Sequence, residues 1–120
     1  MGQTAMTDIN KLTEMIITFR DERDWKQFHN PKDSAIALVS EAVEVLDELK
    51  WKNPQEIEKY LNNHKSKIAD ELCDVLFWVL LMVHDLKIPL EKQFKSKMKE
   101  NKKKYPVSKA RGKHTKYNQL

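Results

Sequence analysis

The sequence predicts an all-α fold with four main helices and a short extra helix. Glycine occurs only 2 times in 120 residues, whereas the helix-favouring residues Ala, Leu, Glu and Lys are common. Apolar residues recur at intervals of three and four, as on one face of a helix. Two Asn-Pro pairs have the form of helix starts, with asparagine as the cap and proline at the first helical position.

The first helix is expected to begin after Thr7 or Asp8, since either side chain can cap it, and to run to about Asp24. Its apolar positions recur at helical spacing. They are Ile9, Leu12, Met15, Ile16 and Phe19.

The second helix is expected over roughly residues 31–50, because Asn30-Pro31 supplies a cap followed by proline. The pair Asn53-Pro54 repeats this start signal for a short helix to about Leu61. The Asn62-Asn63 pair is expected to end that short helix, since asparagine is a weak helix former.

The third main helix is expected over about residues 65–86, and its second half is unusual. The run Val75–Val83 is apolar on every face of a helix. Such a helix must be covered on every side, and four helices of this size rarely manage that alone. A partner subunit is therefore implied, and a homodimer is the simplest one.

The fourth main helix is expected to open at Pro89 and to end before Pro106. The chain beyond it is polar and basic, and a loose segment is expected there. This gives a domain over residues 1–106 and a flexible basic tail over 107–120.

The distribution of charge and hydropathy limits the classes of protein to which this chain can belong. Residues 1–91 hold 11 Lys and Arg against 17 Asp and Glu, whereas residues 92–120 hold 11 against 1. The longest apolar run has nine residues, and a membrane span needs about 20. The single cysteine, Cys73, cannot pair within the chain, as is usual in a reducing compartment. These features predict a cytoplasmic protein with no membrane partner.

Carboxylates are spaced regularly along two of the predicted helices. They are Glu41, Glu44 and Glu48 on the second helix, and Glu71 and Asp74 on the third main helix. Two pairs at i, i+3 that face each other cannot all stay ionised without a counter-charge. A hard divalent cation such as Mg²⁺ supplies that charge, although a Glu-x-x-Glu pair on a helix is more often a solvated face. A di-iron bundle is disfavoured, since no histidine follows a glutamate by three residues.

These carboxylate pairs resemble the signature of the all-α nucleoside triphosphate pyrophosphatases, the MazG-like group. Further segments look like the dCTP pyrophosphatase branch of that group, so that residues 7–106 are covered. These segments are 22–31, 38–44, 71–76 and 97–106. The resemblance implies a four-helix module that forms a homodimer or homotetramer. It also implies a magnesium-bound triphosphate that is cleaved to a monophosphate and pyrophosphate.

The resemblance assigns roles to individual residues. The catalytic and metal-binding positions are Glu41, Glu44, Glu71 and Asp74. The substrate-binding positions are Trp25, His29, Trp51, Trp78, Lys97, Asn101, Lys104 and Tyr105. One position departs from the branch, because Ile16 stands where dCTP-preferring relatives have a histidine that helps to read the base. The implied substrate is dCTP or a modified deoxycytidine triphosphate, and broad removal of non-canonical triphosphates is the alternative.

Some assignments stay open at the level of sequence. Either Glu41 or Glu44 can accept a proton from the attacking water. Tryptophans near helix ends are often packing residues, and a lysine-rich helix is usually solvated. Proteins of another class, a helical nucleic-acid-binding or interaction module, would use the basic segment. That segment has few interleaved aromatic residues, so no specific nucleic-acid partner is expected.

Overall fold

The computed structural model describes residues 8–120, and every regular element in that range is helical. The elements are α1 (Ile9–Glu22), α2 (Pro31–Asp47), α3 (Pro54–Asp85), α4 (Leu90–Lys104) and α5 (Val107–Ala110), with single 3-10 turns at Lys26–Phe28 and Tyr117–Gln119. The predicted all-α class is confirmed. None of these helices is long and apolar enough to cross a membrane.

The predicted helix starts are confirmed by their caps. The Asp8 carboxylate accepts a hydrogen bond from the Asn10 N–H at 2.8 Å; the alternative cap, Thr7, lies outside the described residues. Asn30 caps α2 with Pro31 at its first turn. Asn53 caps α3 in a reciprocal arrangement with Glu56, so that two otherwise unpaired N–H groups are satisfied.

The predicted break near Asn62-Asn63 is confirmed as a kink rather than as a full helix end, since the 32 residues of α3 form two helical halves that meet at His64. Only His64 departs from helical geometry, with φ −132° and ψ 26°. Its ring stacks on Tyr60 at 4.6 Å between centroids, and the Asn63 amide donates to the Lys59 carbonyl. These contacts lie at the kink, which directly follows the two asparagines.

The described chain divides after Leu86 into two compact units. In the first unit, α1 and α2 both pack on α3. Leu80 and Leu81 of α3 are completely buried there. Arg20 of α1 is buried as well, and its guanidinium group binds both carboxylate oxygens of Asp85 at 2.8 and 2.9 Å. This ion pair ties the end of α1 to the end of α3.

A row of apolar side chains on the first unit stays uncovered within the chain; we call it the exposed apolar face. It consists of Ile36, Val39, Val43 and Leu46 on α2, and Leu72 and Leu76 on α3, which are between 38% and 61% exposed. The run Val75–Val83, predicted to need cover on every side, is therefore only partly covered by its own chain. Homo-oligomerisation stays a prediction at this point.

The second unit runs from Lys87 to Leu120 and holds α4, α5 and the last 3-10 turn. Two short helical elements form after Pro106, and the predicted flexibility of this segment stays a prediction. The Tyr117 ring meets the Tyr105 ring edge-on at 6.0 Å, and the Lys104 ammonium lies 4.8 Å from the Tyr117 ring centre. These aromatic and cation–π contacts join the last 3-10 turn to the C-terminal end of α4.

Candidate metal centre and nucleotide site

Four carboxylates meet in the groove between α2 and α3. Glu41 and Glu44 come from α2, Glu71 and Asp74 come from α3, and each offers an oxygen within 4.8 Å of the others. The spacing i, i+3 places each pair on one face of its helix, and the tight turn between the helices brings the two pairs together. We call this group the carboxylate cluster. The prediction that these four side chains converge is confirmed.

One oxygen of the cluster has no partner in the protein. Oε2 of Glu41 is buried and makes no hydrogen bond. Burial raises the pKa of Glu41, and the Glu44, Asp74 and Glu71 carboxylates raise it further. The neighbouring Glu44 carboxylate is the main cause of the raised pKa of Glu71, and burial adds to it.

The donor set fits a divalent cation. Four oxygen ligands with excess negative charge are what Mg²⁺ and Ca²⁺ prefer. A cation in the cluster would offer Glu41 Oε2 the partner that it lacks, and it would lower the repulsion that raises the two pKa values. The residues present are therefore compatible with a bound metal ion.

Glu48 shares the helix face of Glu41 and Glu44 in the sequence, yet it is not part of the cluster. Its carboxylate accepts a hydrogen bond from the Tyr60 hydroxyl at 2.5 Å and pairs with the Lys67 ammonium at 3.0 Å. The Tyr60 hydrogen bond, followed by that of Lys67, lowers the pKa of Glu48. We call these three side chains the Glu48 network, and it closes one end of the groove.

Aromatic side chains gather at the other end of the groove. The His29 ring meets Trp78 edge-on at 5.3 Å, and Trp78 lies one turn beyond Asp74 on α3. Trp25 joins this group through Phe19 and Phe77, with successive ring centroids 5.6 and 6.1 Å apart. We call Trp25, His29 and Trp78 the aromatic end of the site. The sequence placed Phe19 only on an apolar helix face and gave no role to Phe77.

His29 has an unused polar atom at this end. Its Nδ1 is buried and has no hydrogen-bond partner. Burial lowers the pKa of His29, Arg20 lowers it further, and Asp85 acts in the opposite direction. The ring is therefore neutral at physiological pH, with a nitrogen free to bond to a ligand. Arg20 and Asp85 both affect the pKa of His29, although the three residues are separated in the sequence. No pattern in the sequence predicts this effect.

Trp51 does not join the aromatic end within one chain. It follows the C-terminal end of α2, whereas His29 precedes its N-terminal end. The 17 residues of α2 separate the two by about 25 Å at 1.5 Å per residue. Trp51 is 85% exposed, and the Lys50 ammonium lies 5.5 Å from its ring.

The remaining predicted positions lie in the second unit, on one face of α4. Lys97 and Lys104 both pair with Glu100, at 3.5 and 3.2 Å, while the Asn101 amide is 4.0 Å from the Met98 sulfur. Tyr105 follows directly as the C-cap of α4. A cavity of about 400 Å³ lies beside these residues, lined in part by Lys103, Lys104, Lys109 and Tyr117. The lysines give it a basic wall.

Comparisons with known proteins identify a family and several relatives. Residues 36–120 match the MazG-like family. The chain is 34% identical over 120 residues to dCTP pyrophosphatase 1 of Rattus norvegicus, which covers 98% of this chain and 69% of the rat protein. The human protein of the same name is 33% identical, with the same coverage.

A solved structure is also similar. The crystal structure of a pyrophosphatase from Archaeoglobus fulgidus aligns with a TM-score of 0.77 at 28% identity, covering 87% of this chain and 97% of that one. The match to the MazG-like family includes residues 107–120, whereas the motifs identified in the sequence end at residue 106.

Proposed function

The chain belongs to the MazG-like family, and on that premise we propose that it hydrolyses nucleoside triphosphates to a monophosphate and pyrophosphate. The observation that carries the proposal is the carboxylate cluster, with four oxygens within 4.8 Å of one another. The relatives that bear the names dCTP pyrophosphatase 1 and pyrophosphatase support it.

The proposed metal is Mg²⁺, held by Glu41, Glu44, Glu71 and Asp74. When bound, the ion neutralises the triphosphate and stabilises the charge that develops at the α-phosphate. The oxygen-only donor set supports a hard cation over a transition metal.

The protein's own groups position and activate water. A glutamate of the α2 pair accepts a proton from water as its oxygen attacks the α-phosphorus. The bond from that phosphorus to the bridging oxygen then breaks, and pyrophosphate leaves with the bond electrons. Both candidates, Glu41 and Glu44, offer a carboxylate oxygen in the cluster, and either one can act as this base.

The proposed base site is the aromatic end. The faces of Trp25 and Trp78 suit stacking, which contributes about 1–3 kcal/mol per base, and Nδ1 of neutral His29 can form a hydrogen bond. Deoxycytidine triphosphates are the first choice of substrate, since the named relatives act on dCTP. Broad action on non-canonical triphosphates is the second candidate. It is supported by Ile16, whose side chain can form no hydrogen bond to a base.

The proposed phosphate and sugar contacts are Lys97, Asn101, Lys104 and Tyr105. Three of them recur on one face of α4 at i, i+4 and i+7. Lys97 and Lys104 can each give up the ion pair with Glu100 and bind a phosphate instead, because exposed ion pairs of this kind are weak.

The proposed assembly is a homodimer or a homotetramer. The exposed apolar face on α2 and α3 supports it, since monomers rarely expose a contiguous apolar surface of this kind. A second subunit can also supply Trp51 to the aromatic end, which one chain cannot do. Light scattering at micromolar concentration tests the assembly, and a monomeric mass would contradict it.

A product assay over canonical and modified triphosphates tests the function. With Mg²⁺ we expect monophosphate and pyrophosphate in equal amounts, most rapidly from deoxycytidine triphosphates. Release of diphosphate and orthophosphate would refute the assignment. A nucleic-acid-binding module would instead bind DNA or RNA with little hydrolysis, and its affinity would fall steeply with salt.

A further inference from the structure

The Glu48 network lies at the opposite end of the groove from the aromatic end. Along α3 the order is Lys67, Glu71, Asp74 and Trp78, all beyond the kink at His64. Eleven residues separate Lys67 from Trp78, which is about 16 Å along a regular helix. The carboxylate cluster lies between them. The groove therefore has an aromatic end, an acidic middle and an end at which the Lys67 ammonium is paired with Glu48.

A nucleoside triphosphate has the same order of groups, with a base at one end and the terminal phosphates at the other. If the base lies at Trp78 and the cation in the cluster binds the phosphates, the chain of phosphates runs towards Lys67. Lys67 is one helical turn from the ligand Glu71, and Glu48 is one turn from Glu44. Both are thus close to the place where the leaving group must lie.

The state of Lys67 suits a phosphate contact. Its side chain is 56% exposed and its ammonium pairs with Glu48, which leaves further N–H donors for another acceptor. The Glu48 carboxylate is held in turn by the Tyr60 hydroxyl. Glu48 also raises the pKa of Lys67, so the ammonium is charged at neutral pH. The network therefore fixes the position of the Lys67 ammonium group at the end of an acidic groove.

We propose that Lys67 contacts the terminal phosphates of the substrate and holds the pyrophosphate leaving group, with Glu48 and Tyr60 as the residues that position it. This inference rests on the proposed function and deepens it, because it sets the direction of the triphosphate in the groove. The competing explanation is structural: Lys67 merely neutralises Glu48.

Calorimetric titration of magnesium pyrophosphate and of dCMP into the full-length protein separates these explanations without turnover. In Lys67→Met we expect the affinity for magnesium pyrophosphate to fall about tenfold, the equivalent of about 1.4 kcal/mol, while dCMP binding changes less than about twofold. The matched control is Lys65→Met, which removes an exposed lysine two residues away and should alter neither affinity. Lys67→Arg should keep most of the pyrophosphate affinity, because it keeps the charge.

The double variant Glu48→Gln/Lys67→Met decides between the two explanations. If Lys67 holds phosphate, the loss of pyrophosphate affinity persists in the double variant, because no cation has been restored. Recovery of wild-type affinity would overturn the proposal, since it would mean that only the unpaired Glu48 had been harmful. Equal affinity of wild type and Lys67→Met for pyrophosphate would overturn it as well.

The double variant also covers a failure of the single one to fold, since it leaves no unpaired charge. Its comparison with Glu48→Gln then measures the contact. The proposed function is checked separately by hydrolysis in the wild type. A wild type that binds magnesium pyrophosphate through Lys67 but releases none from any triphosphate would refute the function and leave the contact standing.

Discussion

Replacing Glu41 by glutamine should change stability in opposite directions with and without metal. Without metal, the variant should unfold at a higher temperature than wild type, because one of four mutually repelling carboxylates becomes neutral. With Mg²⁺, the variant should gain far less stability, because the cation loses one ligand and one negative charge. The convergence of four oxygens within 4.8 Å is the structural reason for both effects.

The size of the metal effect follows from linkage. At a Mg²⁺ concentration of about 100 times the wild-type Kd, binding stabilises the native state by about 2.7 kcal/mol. If loss of a ligand weakens binding about 100-fold, which is the upper end for perturbing a ligand's supporting shell, the same concentration contributes only about 0.4 kcal/mol. At roughly 4 °C per kcal/mol for a domain of this size, the Mg²⁺-induced rise in Tm should drop from about 10 °C to below about 2 °C.

Thermal unfolding followed by circular dichroism, with Mg²⁺ titrated from zero, measures both effects. Glu58→Gln is the matched control, since Glu58 is an exposed glutamate of α3 outside the cluster. It should behave as wild type under both conditions. A Mg²⁺-induced rise in Tm of equal size in wild type and Glu41→Gln would refute the role of Glu41 as a ligand.

Three further predictions concern pH, the buried ion pair and the base site. The pKa values of Glu41 and Glu71 are raised in the folded protein. Protonation of these groups therefore stabilises the metal-free protein below the ordinary pKa of 4.5, and this stability is lost as pH rises through the raised pKa values. Because protons compete with the cation, the Mg²⁺-induced rise in Tm should be larger at about pH 7 than at about pH 5. Asp85→Ala should cost about 3 kcal/mol in urea unfolding, because the buried Arg20 side chain then keeps only the exposed Asp21 carboxylate at 3.7 Å as its counter-charge. Arg20→Met should cost less, because Asp85 is 28% exposed and water can solvate it; the reverse order would contradict this account. Trp51→Ala should raise KM about tenfold with little change in kcat and leave Tm unchanged, since the side chain is 85% exposed; an unchanged KM would remove it from the site.

The features predicted correctly from sequence are those that local rules decide. Caps at Asp8, Asn30 and Asn53 depend on residues within one turn, so their residue types are sufficient evidence. The carboxylate cluster was also predictable, because i, i+3 spacing on two successive helices leaves few ways to arrange the pairs. The roles of individual cluster residues and of the bound ion stay predictions.

The features that sequence missed depend on contacts between elements or on side chains that compete for the same partner. An interruption near Asn62-Asn63 was predicted, but not that the chain would resume the helix directly after His64, whose ring stacks on Tyr60. Glu48 has the spacing of a ligand, but Tyr60 and Lys67 bind it first. The pairing of Glu48 cannot be derived from the period of a helix, since it depends on which side chains reach each other across the turn after α2.

The distribution of residues around α2 explains how one helix can both pack against its neighbours and contribute to a metal site. Successive residues turn by about 100°, so Val39, Val43 and Leu46 lie roughly opposite Glu41 and Glu44. The side between them packs on α3. A surface that covers the exposed apolar face would therefore leave the mouth of the carboxylate cluster open to substrate. One side of α2 can therefore form a subunit interface while another side binds metal and substrate. Both are possible because the apolar and the acidic residues recur with the same helical period but on different sides of the helix.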